Sequence, residues 1–245
     1  MKEQIRTRIE ALLSKEYYCD PRLLSGKETV FTVRPDMEKP YVKIMAYRSC
    51  VVVCSSADLH GKLIRLLRGK SRDVIFELPF VYGQTIHYVP GGACRSDRKD
   101  LSRYTFDGYY GEEVLSLRGD VDLPNSLAFD GQGRTPARAA CIARLHGRLA
   151  GAAGASETPV DGLVEIGVDT LEDHRNAGLG TRLVGELTDV LLNRDIVPFY
   201  SASVTNIGSQ MVASRCGYIP AWVDTYGTTI DGSSDYHEIV KSLAL

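Results

Sequence analysis

Glu165–Val184 reads EIGVDTLEDHRNAGLGTRLV, and the change of period within it decides the fold. Val164, Ile166, Val168 and Thr170 alternate with Glu165, Gly167 and Asp169, which is the period-2 pattern of a β-strand. Downstream, Leu183, Val184, Leu187, Val190 and Leu191 recur at helical spacing and predict a helix of about four turns that ends before Val197-Pro198. Between strand and helix stands Arg175-Asn176-Ala177-Gly178-Leu179-Gly180. A helix N-terminus presents unpaired N–H groups and the positive end of its dipole, and glycines at its entrance let an anion approach the backbone. Phosphate is the expected ligand. The plainer alternative is a strand-to-helix turn shaped by Gly178 and Gly180, with Arg175 solvated. There is no GxxxxGK[ST], and no GxGxxG with an acidic residue about 20 positions on, so the P-loop and dinucleotide readings fall.

Working outward, ARAACIARL, a His146-Gly147 turn, RLAGAAGAS, a turn from Pro159 to Gly162 and LVEIGVDT read as three successive strands of a meander. VPFYSASV reads as a further strand, followed by a short helix from Ile207 to Cys216 that Gly217 closes. Toward the N-terminus, Ile5, Ile9, Leu12 and Leu13 form the apolar stripe of an amphipathic helix, stopped by Asp20-Pro21. TVFTV and YVKIMAYRSCVVVC read as strands around the turn PDMEKP, and Leu59 to Leu67 returns to helical spacing. Val74 to Pro90 is apolar with an ambiguous period. Gly91 to Thr135 is dense in charge, glycine and tyrosine and reads as a connecting region with little regular core. These readings give an α+β chain with a domain boundary near Leu123: an N-terminal α/β region, 1–123, and a C-terminal domain, 124–245.

The stretch EIGVDTLEDHRNAGLGTRLV resembles the central motif of the GNAT acetyltransferases, (Q/R)xxGx(G/A) after the fourth core strand, with Arg175, Gly178 and Gly180 matching in order. A second match is Asn206 followed eleven and twelve residues later by Gly217-Tyr218, similar to the family's N…GF pattern. The resemblance covers about Ala137 to Tyr226, and the strand EIGVDT with Asn206-x-x-Ser209 is similar to a bacterial subgroup with an extra N-terminal region. It implies a mixed, mostly antiparallel sheet flanked by helices. It implies acetyl-CoA as co-substrate, with the pyrophosphate on the loop amides of Arg175, Asn176, Ala177, Gly178, Leu179, Gly180 and Thr181. It also implies that the pantetheine arm pairs with Val168, Asp169 and Thr170, near Asn206 and Ser209. Asn206 is equally a plain helix N-cap, and the two roles are compatible. The family's first two helices are not evident here.

Acetyl transfer to an amine needs a base for the ammonium proton, and a donor for the developing oxyanion. The resemblance implies a glutamate base on the strand before the loop, which is Glu165; a merely polar outward position is the alternative. His146 and His174 are weaker candidates. The family often has a tyrosine seven residues after the asparagine to protonate the departing sulfur, but Ala213 stands there; Ser209, Tyr200 and Tyr226 are the remaining hydroxyl candidates. The sequence therefore points to an N-acetyltransferase acting on a primary amine of a small molecule or peptide. The alternatives are a non-catalytic acyl-CoA-binding or sensing module, and an interaction protein.

A net charge of −2 over 245 residues is no nucleic-acid footprint. The six cysteines, at 19, 50, 54, 94, 141 and 216, include no CxxC pair and no histidine at ligand spacing, so no metal site is expected and most are read as buried thiols. No run of 18 apolar residues occurs and the N-terminus lacks an apolar signal region, so no membrane partner and a cytoplasmic address are expected. A homodimer is left open.

Overall fold

The structure is a computed structural model that describes residues 2–78, 81–92 and 100–229. Cys94 and the C-terminal 230–245 lie outside them. In chain order the elements are helix α1 (Glu3–Glu16), strands β1 (Thr29–Val33), β2 (Tyr41–Tyr47) and β3 (Cys50–Ser55), and helices α2 (Ala57–Leu67) and α3 (Arg72–Phe76). Strands β4 (Thr85–Pro90), β5 (Tyr104–Tyr110), β6 (Ala137–Leu145), β7 (Arg148–Glu157) and β8 (Leu163–Thr170) follow. The chain continues with α4 (Leu179–Leu192), β9 (Val197–Ser203), α5 (Ile207–Arg215), β10 (Tyr218–Asp224) and β11 (Thr228–Thr229).

Packing divides the described residues into two compact units, one drawn from 2–9 and 87–220, the other from 10–86 and 221–229. This division falls elsewhere than the boundary expected near Leu123, which lies inside the first unit and bridges to Leu127.

In the first unit the strand order is β4-β9-β8-β7-β6-β5. The meander β5-β6-β7-β8 is antiparallel throughout, and β8-β9 is parallel. The β6–β7 turn has positive φ at both His146 (51°) and Gly147 (78°), the two-residue hairpin geometry that matches strand twist. Strand β7 is built from Ala and Gly, poor strand formers, because it is buried on both faces: Ala150 to Ala155 have no open side. A Cβ on Gly154 would stand 1.7 Å from the Ser126 carbonyl oxygen, and α4 packs along the same strand. Helix α4 turns Leu183, Val184, Leu187 and Leu191 of the expected stripe inward, adds Leu179, and leaves Val190 half-buried.

The segment 91–135 corrects the expectation of a connector with little core. It holds β5, a 3-10 helix at Gly111–Leu117, and the apolar residues Val114, Leu117, Val121, Leu123 and Leu127, which pack with Ala137, Ala140, Ile142 and Ala152. These residues follow no single period because a 3-10 turn and irregular backbone carry them inward. Between β5 and β6 there is no α-helix among the described residues.

In the second unit YVKIMAYRSCVVVC is two strands, not one, turning at Arg48 (φ 52°), and β1 pairs in parallel with β3. The ambiguous run from Val74 divides into α3 and β4. Its core joins Val42, Ile44, Val51 and Val53 to Leu63, Leu67 and Ile75. The buried Asp224 carboxylate accepts from Tyr17 Oη (3.1 Å) and sits 3.3 Å from Lys43 Nζ. Burial, and next the Asp224 charge, push the Tyr17 phenol well above its ordinary range.

Candidate functional site

The site is made where two ladders of β8 end at different places. Against β7 the pairing runs to Thr170, opposite Gly151; against β9 it stops at Ile166, opposite Tyr200. From Gly167 onward β8 and β9 therefore part. The fork opens beside α4, whose N-cap is Gly178 in the left-handed region at φ 87°, a conformation glycine adopts without strain. A glycine cap has no side chain to take an N–H, so the first-turn amides of α4 keep no side-chain cap. Asn176, also left-handed at φ 59°, turns the preceding loop.

A cleft of about 620 Å³ lies between the end of β8, this loop and α5. Its lining contains Val168, Asp169, Thr170, Arg175, Asn176, Gly178, Leu179, Gly180, Thr181, Asn206 and Ser209, so sequence positions up to 41 apart meet at one place. Of the coenzyme residues expected from sequence, Ala177 alone is outside the lining. Added to them are Asn125, His174, Gly208, Met211, Val212 and Arg215. A Cβ on Gly180 would enter at 3.6 to 3.9 Å from Val212, Thr170 and Val168, all of which line the cleft. Its side of the helix is thus part of the cleft wall.

The wall has distinct supports. Asn206 caps α5 by accepting from Ser209 N at 3.0 Å, and Gln210 Nε2 donates to the Ser203 and Val204 carbonyls at 3.0 Å, fastening the end of β9 to that helix. Arg175 is exposed, with Nε 3.4 Å from Thr170 O, and together with Arg215 places positive charge on the cleft. His174 Nδ1 lies 3.1 Å from Tyr104 Oη. Asp169 does not point to solvent as a free charge: its carboxylate accepts from Asn125 N and Nδ2 and from Ser126 N and Oγ.

Alternation along β8 sends Val168 and Thr170 toward α4 and α5, and Gly167 and Asp169 toward the Asn125-Ser126 turn. Glu165 shares this second face, is half-buried, and stands opposite Ser156 on β7 and Phe199 on β9. It lies outside the cleft lining, one position below the last β8–β9 pair. Tyr200 faces the other way, buried against Tyr218 with ring centroids 6.4 Å apart. Burial raises its phenol above the usual range, opposed by a hydrogen bond with Ser209. Ala213 is fully buried in α5. His146 is exposed in its turn, and Tyr226 belongs to the other compact unit. Among the described residues no cluster of three His, Cys, Asp or Glu side chains is placed to hold a metal. The described cysteines, 19, 50, 54, 141 and 216, form no disulfide and are buried.

Sequence reading missed Asn125 and Ser126, whose only signal was a turn-rich GDVDLPNS placed in a supposed linker. It also missed His87 and Ser201, neighbours on β4 and β9 whose Nδ1 and Oγ are 2.8 Å apart.

No curated protein matches the chain. Among solved structures, a GNAT-family protein from Novosphingobium aromaticivorans is 20% identical over 58% of this chain and 63% of its own, with a TM-score of 0.44. The chain thus spans under two thirds of that protein's length. A GCN5-related N-acetyltransferase-like protein from Streptococcus suis is 16% identical over 91% of this chain and 98% of its own, TM-score 0.45. An aminoglycoside N-acetyltransferase, AAC(6')-Iy in complex with CoA, is 20% identical over 48% of this chain and 89% of its own, TM-score 0.37. The family model for the acetyltransferase (GNAT) family matches residues 106–218, which run from within β5 to the first residue of β10 and contain the fork, the loop and both helices of the cleft. Over residues 106–218 the chain is therefore similar to the acetyltransferase (GNAT) family.

Proposed function

We propose that the chain is an acyltransferase that moves the acetyl group of acetyl-CoA to a primary amine of a small molecule or peptide. The observation that carries this reading is the junction of the β8–β9 fork with the uncapped N-terminus of α4. The fit is chemical. Amides of Gly178 to Thr181, the positive end of a 14-residue helix, and the guanidinium groups of Arg175 and Arg215 suit a pyrophosphate. Backbone of Val168 to Thr170, released from β9, offers donors and acceptors to an extended amide-bearing arm, as an added strand would. Acetyl-CoA supplies an activated acyl carbon. The chain's own residues bind its anion, align its arm, and present an amide near Gly167 and Val168 to the developing oxyanion. On the sheet face away from α4, Glu165 is the group expected from sequence to take the ammonium proton or to hold the ammonium.

Titration calorimetry with acetyl-CoA tests the binding half, and coenzyme A release across amines, polyamines, aminoglycosides and peptide N-termini tests transfer. A Gly178→Glu protein that still bound acetyl-CoA as tightly would remove the basis of the reading. A second reading, binding without transfer, draws on Ala213, a buried methyl where the resemblance implies a proton-donating tyrosine. It predicts the same affinity with coenzyme A release no faster than without protein. The N-terminal residues are proposed to engage a protein partner, and cytoplasmic residence fits described cysteines that form no disulfide.

A further inference from the structure

On the face of the sheet that carries Glu165, the structure joins a histidine and a serine that the family motifs do not include. His87 Nδ1 and Ser201 Oγ are 2.8 Å apart, and the His87 ring leans on Phe199 with centroids 6.1 Å apart at 50°. Phe199 and Ser201 alternate with Tyr200, so His87 contacts the β9 face away from the one on which Tyr200 meets Ser209 and Tyr218. Glu165 is the register partner of Phe199. All three polar groups therefore stand on one face.

Their heights along the strands differ, and that difference decides the roles. The last β8–β9 pair is Ile166–Tyr200, and Ser201 is the next residue of β9. Two residues separate Phe199 from Ser201, about 7 Å of strand, so Ser201 stands that much nearer the opening than Glu165 does. It is level with Gly167, the first β8 residue outside the ladder. His87 and Ser201 are only half-buried and can be reached by a ligand. A half-buried serine–histidine hydrogen bond contributes little to stability, whereas the imidazole is the side chain type whose chemistry suits proton transfer near neutral pH.

We propose that Ser201 and His87 form the proton relay of the acetyl transfer, a proposal that rests on the acetyl-CoA reading above. The amine nitrogen forms a bond to the acyl carbon, and the carbon–sulfur pair leaves on sulfur. The surplus N–H proton passes to Ser201 Oγ as the serine hydroxyl proton passes to His87 Nδ1. The imidazolium then returns one proton to the thiolate or to water, so protons balance over the turnover. Glu165, lower on the same face, draws the ammonium form of the acceptor toward the relay, where it gives its first proton to water before the neutral amine attacks. Ser201 is the catalytic residue of the pair, and His87 works through it.

The test uses the full chain and three variants, His87→Asn, His87→Ala and Ser201→Ala, with acetyl-CoA affinity measured first by calorimetry. Transfer is read with whichever amine of the panel releases coenzyme A fastest, or with water as acceptor where none exceeds it. Asparagine keeps a hydrogen-bonding atom near the Nδ1 position but is no base. The relay requires His87→Asn to bind acetyl-CoA within about twofold of the parent while kcat drops 100-fold or more, within the range general-base removal gives. It also requires added imidazole to restore part of the rate of His87→Ala. A His87→Asn rate within threefold of the parent, or a Ser201→Ala rate unchanged, overturns the relay while leaving acetyl-CoA binding intact. Loss of the wider reading would show differently, as a parent protein that fails to bind acetyl-CoA at all.

Discussion

Ser126 gives both its amide and its hydroxyl to one oxygen of Asp169, at 2.8 and 2.9 Å, and so holds a turn 43 residues away in sequence against β8. Asn125 adds two more hydrogen bonds to the same carboxylate. Asp169→Ala leaves the buried Ser126 donors without their acceptor. The expected loss is about 2–3 kcal/mol in urea unfolding, together with weaker acetyl-CoA binding because Asn125 lines the cleft. Gly167→Ala attacks the same contact sterically: its Cβ would lie 1.7 Å from the Asn125 carbonyl oxygen.

Two glycines of the loop are expected to respond in opposite ways. Gly178 is left-handed, so Gly178→Ala costs about 1–2 kcal/mol of stability. Gly180 is helical and its Cβ would meet only ordinary contacts, so Gly180→Ala leaves stability equal or up to about 1 kcal/mol higher. Its added methyl projects among cleft residues, and acetyl-CoA affinity is expected to fall about tenfold, or 1.4 kcal/mol. Thermal melts beside calorimetry separate the two effects.

Asn206→Ala removes the side-chain acceptor for Ser209 N. Replacing a cap of this kind costs about 1 kcal/mol. Asn206→Asp, which restores an acceptor, is expected to recover the melting temperature; if affinity for the anionic ligand stays low in that variant, the residue touches ligand as well as capping.

Burial pushes the Cys141 thiol up to about 12, with the Glu186 and Asp107 charges adding to the effect. In the unfolded chain a thiol releases its proton near pH 8.5. Above that value the unfolded state has lost a proton that the folded state still holds, so stability falls as pH rises. The contribution is whole below about pH 8.5 and is lost progressively toward pH 12. Melting temperature against pH should decline across this window, and Cys141→Ala should make the decline shallower.

The strands and helix around the loop were legible because each keeps one period for its whole length. Val164 to Thr170 alternates cleanly, and α4 carries a full apolar stripe. Strand β7 was legible despite Ala and Gly because two turns bracket it, though nothing local told why those residues are small: both of its faces are covered by close backbone and by α4. The segment from Tyr104 to Leu127 misled because its inward residues arrive through a 3-10 turn and irregular backbone, which impose no spacing. The loop residues that line the cleft were visible as a motif since the loop is contiguous. His87 and Ser201 were not, since 114 residues separate them and only the order of strands in the sheet makes them neighbours.

The early end of the β8–β9 ladder also bears on the lifetime of the protein. Backbone groups at Gly167 to Thr170 that have no partner strand on the β9 side gain one when an amide-bearing arm lies in the fork. A ligand that binds only the folded chain adds about 2.7 kcal/mol when present at a hundred times its dissociation constant. Under the proposed function, abundance of the acetyl donor and survival of the enzyme are then tied by mass action. A cell depleted of that donor would hold a looser population, clear it faster, and so lower its acetylating capacity without any dedicated sensor.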